Sequence, residues 1–234
     1  MKTLVIGDIH GCFDELMALI ERAGLAADDE IIALGDIVDR GPATLAVMDF
    51  LRRAPRTRVL MGNHERKHVR SFWGEITSAL SKRITRRQIG EERYADGCAW
   101  MNILPRFIEL PQALLVHAMF EPGVPLHRQQ EPVIVGTLSG EHYLKQHYRR
   151  PWYELYDGAL PLIVGHHNIG GGAKPYIRTD GRVIGLDTGR YGGGALSALL
   201  LPDFKVLSVR SRANHWAAVK SMHADMQYPG NELG

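Results

Sequence analysis

Cysteine is nearly absent: Cys12 and Cys98 are the only two in 234 residues. They stand far apart and outside any paired spacing, so neither a disulfide framework nor a thiolate zinc site is indicated, and two reduced thiols are expected. A cysteine-based phosphatase places an arginine six residues after its nucleophile, but Ala18 and Leu104 occupy those positions. No run of about 18 apolar residues occurs, which argues against a membrane-spanning helix. The chain opens on the strand-like Thr3 to Ile6 rather than on a leader, and a cytoplasmic location is the expectation. Net charge is also scarce, at +2, so an extended nucleic-acid footprint is not expected. The five basic residues of Lys82 to Arg93 read as a solvated helix face, with a nucleic-acid end kept only as a lesser alternative. The Gly-x-Ser-x-Gly of serine hydrolases and the Gly-x-x-x-x-Gly-Lys of nucleotide kinases are both missing.

What is present is an ordinary globular balance, 45% apolar and 23% charged, in a length that suits one medium-sized domain. Short apolar runs alternate with helical patterns in the first third, the signature of βαβ units. Thr3 to Gly7, Glu30 to Gly35 and Thr57 to Gly62 are predicted strands, each ending in glycine. Phe13 to Ala23 is a predicted amphipathic helix stopped by Gly24. A second helix runs from Pro42 to Arg53 and a third from Glu65 to Ile89. Beyond Phe107 the pattern is mostly β: 107–110, 113–117, 160–165, 176–179, 183–186, 195–201 and 205–210, with Asp180-Gly181 as a two-residue hairpin turn. Residues 1–212 are expected to form the domain, with 120–158 as a loop-rich cap near the site and 213–234 as a loosely ordered tail.

Five of the predicted strands end in polar clusters. In chain order these are Gly7-Asp8-Ile9-His10-Gly11, Gly35-Asp36-Ile37-Val38-Asp39-Arg40-Gly41, Gly62-Asn63-His64-Glu65, Val116-His117-Ala118 and Gly165-His166-His167. Functional groups in open α/β sheets gather beyond the carboxyl ends of strands, and all five clusters fall there. Carboxylate, imidazole and amide ligands without sulfur suit two divalent ions, Mn²⁺ first, with Fe or Zn²⁺ as alternatives. Asp8 and His10 share one side of a strand end and can reach one ion. Asp36 has two oxygens and can bridge to a second, which Asn63, His117 and His166 can complete. His64 is free for proton transfer, with Asp39 to orient it, and Arg40 offers a planar fork for phosphate oxygens.

These strings, GDIHG, GDIVDRG, GNHE, VHA and GH, resemble those of the calcineurin-like metallophosphoesterases. The likeness spans Thr3 to Arg210 and is nearest the phosphoprotein phosphatase branch, which holds bacterial serine/threonine phosphatases and diadenosine tetraphosphate hydrolases. It implies an α/β/β/α sandwich of two mixed sheets. It also implies Asp8 and His10 on the first metal, Asp36 bridging, Asn63, His117 and His166 on the second, and His64 with Asp39 as the acid pair. The branch's Leu-Trp-x-Arg string is missing, and Arg149 and Arg150 are the nearest candidates for a second phosphate contact. In other branches a ligand follows two residues after the last histidine, where this chain has Asn168. The activity implied is hydrolysis of phosphomonoesters on a phosphoprotein or a nucleotide, with a serine/threonine phosphatase as first reading and a dinucleoside polyphosphate hydrolase as the alternative. A non-catalytic metal-stabilised binding module is the reading from another class, and the presence of His64, Asp39 and Arg40 counts against it.

Overall fold

The computed structural model describes residues 1–226, and its strands are β1 (Thr3–Ile6), β2 (Glu30–Ala33), β3 (Thr57–Val59), β4 (Phe107–Leu110), β5 (Ala113–Val116), β6 (Leu162–Val164), β7 (Tyr176–Ile177), β8 (Val183–Gly185), β9 (Ala195–Leu201) and β10 (Lys205–Arg210). They form two five-stranded sheets, in the orders β10-β9-β1-β2-β3 and β4-β5-β6-β8-β7. Each sheet is mixed. The trio β1, β2 and β3 is parallel, as is β5, β6 and β8, and the remaining strands add antiparallel at the flanks. All ten strands expected from the sequence occur, most of them a residue or more shorter at the ends.

Side chains alternate across a strand, so a strand buried on both faces reads as a continuous apolar run. Val5, Ile32, Leu34 and Leu60 from one sheet meet Ile108, Leu115, Ile163 and Ile184 from the other. The intervening Leu4, Ile6, Ala33 and Val59 point the opposite way, onto helices. Those helices are α1 (Phe13–Ala23), α2 (Thr44–Arg53), α3 (Asn63–Phe72), α4 (Leu80–Ile89) and α5 (Glu91–Asn102). On the far side, Val116, Leu162 and Val164 share a core with Val133, Ile134, Leu144 and Trp152. These belong to or border α6 (Glu131–Ile134), α7 (Leu138–His147) and α8 (Trp152–Leu155). The layering is therefore helix, sheet, sheet, helix, as expected.

Three expectations are corrected. The single helix over 65–89 is two, because Gly74 takes a φ of +74° and ends the first run. Helix α5, which sequence reasoning did not separate, buries Tyr94, Cys98 and Met101 at helical spacing. The cap over 120–158 is largely helical rather than loop-rich: Thr137 caps α7 by accepting from the Gly140 N–H at 3.1 Å. Within the expected tail, α9 (His215–Met222) is capped by Asn214, buries Val219 and places His215 Nε2 2.9 Å from Glu15 on α1. Residues 227–234 of that tail lie outside the described residues. No helix among the described residues is long and apolar enough to cross a membrane.

The cap is tied to α3 by Glu131, whose carboxylate accepts from Arg66 Nε at 2.7 Å and from Arg106 Nε at 2.5 Å. Burial pushes this carboxyl up, but the two arginine hydrogen bonds outweigh it and hold it below the usual glutamate range. A depressed acid contributes stability above its unfolded value and loses it as pH falls through the folded one. Glu131→Gln should therefore cost about 0.5–1 kcal/mol at pH 7, discounted for its partial exposure, and less at pH 3.5. Urea denaturation of both proteins at the two pH values measures this; an equal difference at both would remove the ion pairs as the cause.

Candidate metal centre

All six parallel strands point their carboxyl ends to one side, so the loops after β1, β2, β3, β5, β6 and β8 converge there. Backbone geometry marks the convergence. Seven non-glycine residues among those described have positive φ, and five of them are His10, Asp36, Asp39, Arg40 and His166. Left-handed backbone is strained for such residues and concentrates at functional sites. Glycines make the close approaches possible: a Cβ on Gly41 would stand 1.9 Å from the His10 carbonyl oxygen, and one on Gly62 2.3 Å from Asp36 Oδ1.

Asp36 sits at the middle. Ligand atoms of His10, Asp36 and His64 lie within 4.8 Å of one another, as do those of Asp36, His117 and His166, so Asp36 is common to both groups. The imidazoles present lone pairs inward. His10 Nδ1 stands 2.9 Å from the Val38 carbonyl and His117 Nδ1 2.8 Å from that of Leu34, which places the proton on Nδ1 and leaves Nε2 as an acceptor on the side of Asp36. Burial lowers the basicity of His10, His117 and His166, the last to about 2, so all three are neutral. Asn63 Oδ1 lies 3.3 Å from His117 Nε2 and 3.0 Å from His166 Nδ1. With its amide turned over, the NH₂ would face those same nitrogens and Asp36, and the oxygen would accept from Lys67 at 3.1 Å.

The carboxylates crowd one another. Burial and then the charges of Asp187 and Asp36 push Asp8 well above the usual range, and burial pushes Asp187 to about 6. Burial also favours protonation of Asp36, but His117, His64 and His10 outweigh it and hold that group low. Acids facing unprotonated imidazole nitrogens form a donor set that fits divalent cations.

Asp8 departs from the sequence expectation in one respect. It joins neither group of three within 4.8 Å, and its Oδ1 instead accepts from the His166 N–H at 2.9 Å. His64 Nε2 stands nearer, 3.9 Å from Asp36 Oδ2. The His64 ring is oriented by Asp39, whose Oδ2 lies 2.5 Å from Nδ1. Burial works against the Asp39 charge, yet His68 and the hydrogen bonds from both histidines keep the carboxyl well below its usual range. Thr85 Oγ1 donates to it at 2.7 Å and His68 Nε2 stands 2.9 Å away. Arg40 Nη1 lies 3.0 Å from His10 Nε2, with its guanidinium 4.1 Å from the Tyr191 ring centre. Asn168 turns away and donates to the Gly172 carbonyl.

The cavity over the cluster, about 230 Å³, is lined by Asp36, Arg40, Asn63, His64, Lys67 and His166 among others. Arg149 and Arg150 do not line it; they border an adjoining concavity. Sequence reasoning missed Lys67, His68 and Asp187. Starting α3 at Asn63 would have aligned Lys67 and His68 one turn after Asn63 and His64. Asp187, two residues past β8, repeats the strand-end position used for the other clusters.

Glu65 holds the two central loops together. Its Oε2 accepts from the N–H groups of Asp36 and Gly62 and its Oε1 from those of Ile37 and Val38, at 2.8 to 3.3 Å. Burial and the Asp36 charge push this carboxyl up to about 8 against those donors.

A family model for calcineurin-like phosphoesterases matches residues 1–183. A bis(5'-nucleosyl)-tetraphosphatase, the asymmetrical type PrpE, from Halalkalibacterium halodurans is 30% identical over 91% of this chain and 95% of its own length. A crystal structure provisionally described as a diadenosine tetraphosphatase superposes with a TM-score of 0.75 at 26% identity, covering 90% and 93% of the two chains. A serine/threonine phosphatase from Saccharomyces cerevisiae aligns over 91% of this chain and 80% of its own, with a TM-score of 0.58 at 14% identity, a likeness of fold alone.

Glu65→Ala would leave four buried N–H groups without a partner, each costing about 1–3 kcal/mol. The variant should lose about 3 kcal/mol or more in urea denaturation and bind Mn²⁺ about 10 to 100-fold more weakly. Wild-type stability and affinity would show that the loops hold their shape without it.

Proposed function

We propose, from the premise that this chain belongs to the calcineurin-like phosphoesterase family, that it hydrolyses the phosphoanhydride chain of dinucleoside polyphosphates, with a dinucleoside tetraphosphate as substrate. Membership makes it a metal-dependent hydrolase of phosphoric ester or anhydride bonds. The single observation that carries the substrate is its similarity to bis(5'-nucleosyl)-tetraphosphatases along about nine-tenths of both chains. That supports the reading held above as the alternative better than the serine/threonine phosphatase reading.

His10, Asp36, Asn63, His117 and His166 would hold two divalent ions, with Asp8 beside them. When bound, the ions supply Lewis acidity to the phosphate oxygens and acidify water. Manganese is the metal we favour for this oxygen and nitrogen set. Arg40 binds and orients the phosphate with parallel N–H donors, its fork held against Tyr191. His64 gives its Nε2 proton to the departing oxygen while Asp39, engaged at Nδ1, stays ionised and stabilises the charged ring.

Initial rates with added Mn²⁺ on diadenosine tetraphosphate, a phosphoserine peptide and para-nitrophenyl phosphate decide the substrate. The dinucleotide should give a kcat/KM at least about tenfold above the peptide, yielding a nucleoside monophosphate and a nucleoside triphosphate, and chelation should abolish turnover on all three. A peptide preferred over the dinucleotide would return the protein phosphatase reading, and turnover surviving full metal removal would end the metal-dependent one.

A further inference from the structure

Beside the metal cavity lies a second concavity of about 380 Å³, and the two share Glu141 and His167 as walls. Its size falls within the range of small-molecule sites. Met119, Leu144 and Trp152 are buried and give it an apolar floor. Tyr153 is half-buried, edge-on to both Trp152 and Tyr176 with ring centres 5.7 Å apart in each case. Arg149 has no ion pair among the described residues, whereas Arg150 is engaged by Glu154 at 3.1 Å. On the ridge between the cavities, the Glu141 carboxylate stands 2.6 Å from Lys145.

We propose that this second cavity holds the nucleoside joined to the phosphorus under attack, so that water attacks the α phosphorus of a dinucleoside polyphosphate. The proposal rests on the function proposed above and adds which bond breaks. The walls, taken outward from the metal ligands, change from cation-binding groups and Arg40 to a carboxylate ridge and then to apolar and aromatic surface. A nucleoside 5'-phosphate presents phosphate, ribose hydroxyls and flat base in that same order. A carboxylate beside a ribose accepts from its hydroxyls, as the acidic residue of dinucleotide-binding folds does. The base then lies on Leu144 and Trp152, with the Tyr153 ring and the Arg149 guanidinium as stacking partners. The shared walls Glu141 and His167 put the nucleoside next to the phosphate on the metal side, so in this pose the attacked phosphorus is the α phosphorus. The rest of the substrate is left on the Arg40, Lys67 and Tyr191 side, where two cations receive the leaving polyphosphate.

The water oxygen forms the new bond to the α phosphorus, and the bond from that phosphorus to the oxygen bridging to the β phosphorus breaks. The electron pair leaves on the bridging oxygen of the nucleoside triphosphate, which takes the His64 proton, and water gives up one proton. The solvent oxygen therefore ends in the mononucleotide.

Hydrolysis of diadenosine tetraphosphate by the Mn²⁺-loaded full chain in oxygen-18 water, followed by mass spectrometry of both products, tests this. The label should appear in AMP and not in ATP. Label in ATP places attack on the β phosphorus and overturns the proposal while leaving the proposed function intact; no hydrolysis of the dinucleotide overturns both. Tyr153→Ala and Glu141→Gln should each lower the ratio of kcat/KM for the dinucleotide to that for para-nitrophenyl phosphate by about tenfold, chiefly through KM. Thermal melting of each variant separates this from lost folding. An unchanged ratio in both would take the nucleoside out of this cavity.

Discussion

Placing Asp8 and Asp187 beside Asp36 is electrostatically unfavourable, since both are desolvated and the neighbouring carboxylate charge raises their affinity for protons further. The histidines favour the Asp36 charge, but burial keeps His10, His117 and His166 from taking up protons readily, so they offset little of the charge on the other two. A divalent cation between the lone pairs would balance the cluster. Most other local features keep that arrangement in place: the Glu65 clasp across two loops, the carbonyl partners of His10 and His117, and the left-handed backbone at five of the site residues. Such strain persists only where surrounding structure over-determines it, and here two sheets buried on both faces provide the rigidity.

Asp39, which orients the His64 ring beside that cluster, has a set of partners of its own. Asp39 is fully buried and receives Thr85 and Ser81 hydroxyls as well as two imidazoles, with Lys82 Nζ 3.6 Å away. These donors come from α3 and α4. The break at Gly74 between those helices therefore has a consequence for chemistry: it turns α4 so that Ser81, Lys82 and Thr85 face Asp39. The basic run that begins at Lys82 is accordingly not one solvated face, since Lys82 itself is buried against that carboxylate.

Much of this was legible in the sequence because period-two alternation and strand-end glycines depend on local chemistry. Ten strands, helix α1 with its Gly24 stop, and the convergence of five polar clusters could all be inferred that way. What was not legible depends on packing. Arg149 and Arg150 carry the right chemistry for phosphate, yet the helical cap directs them to the neighbouring cavity. The cap's three helices are too short or too weakly amphipathic to show a clear period, and the helix at 215–222 buries Val219 and meets α1 where His215 contacts Glu15. The preference of His64 over Asp8 for the neighbourhood of His10 and Asp36 is likewise a matter of tertiary approach rather than of spacing along the chain.

The central claim is that one carboxylate, Asp36, is shared by two cations. Crystals of the full chain grown with Mn²⁺ and measured at the manganese absorption edge would locate those ions directly by anomalous scattering. Two peaks about 3.5 to 4 Å apart are expected, flanking the Asp36 carboxylate, one against His10 and the other against Asn63, His117 and His166. A single peak, or two peaks of which only one contacts Asp36, would contradict it.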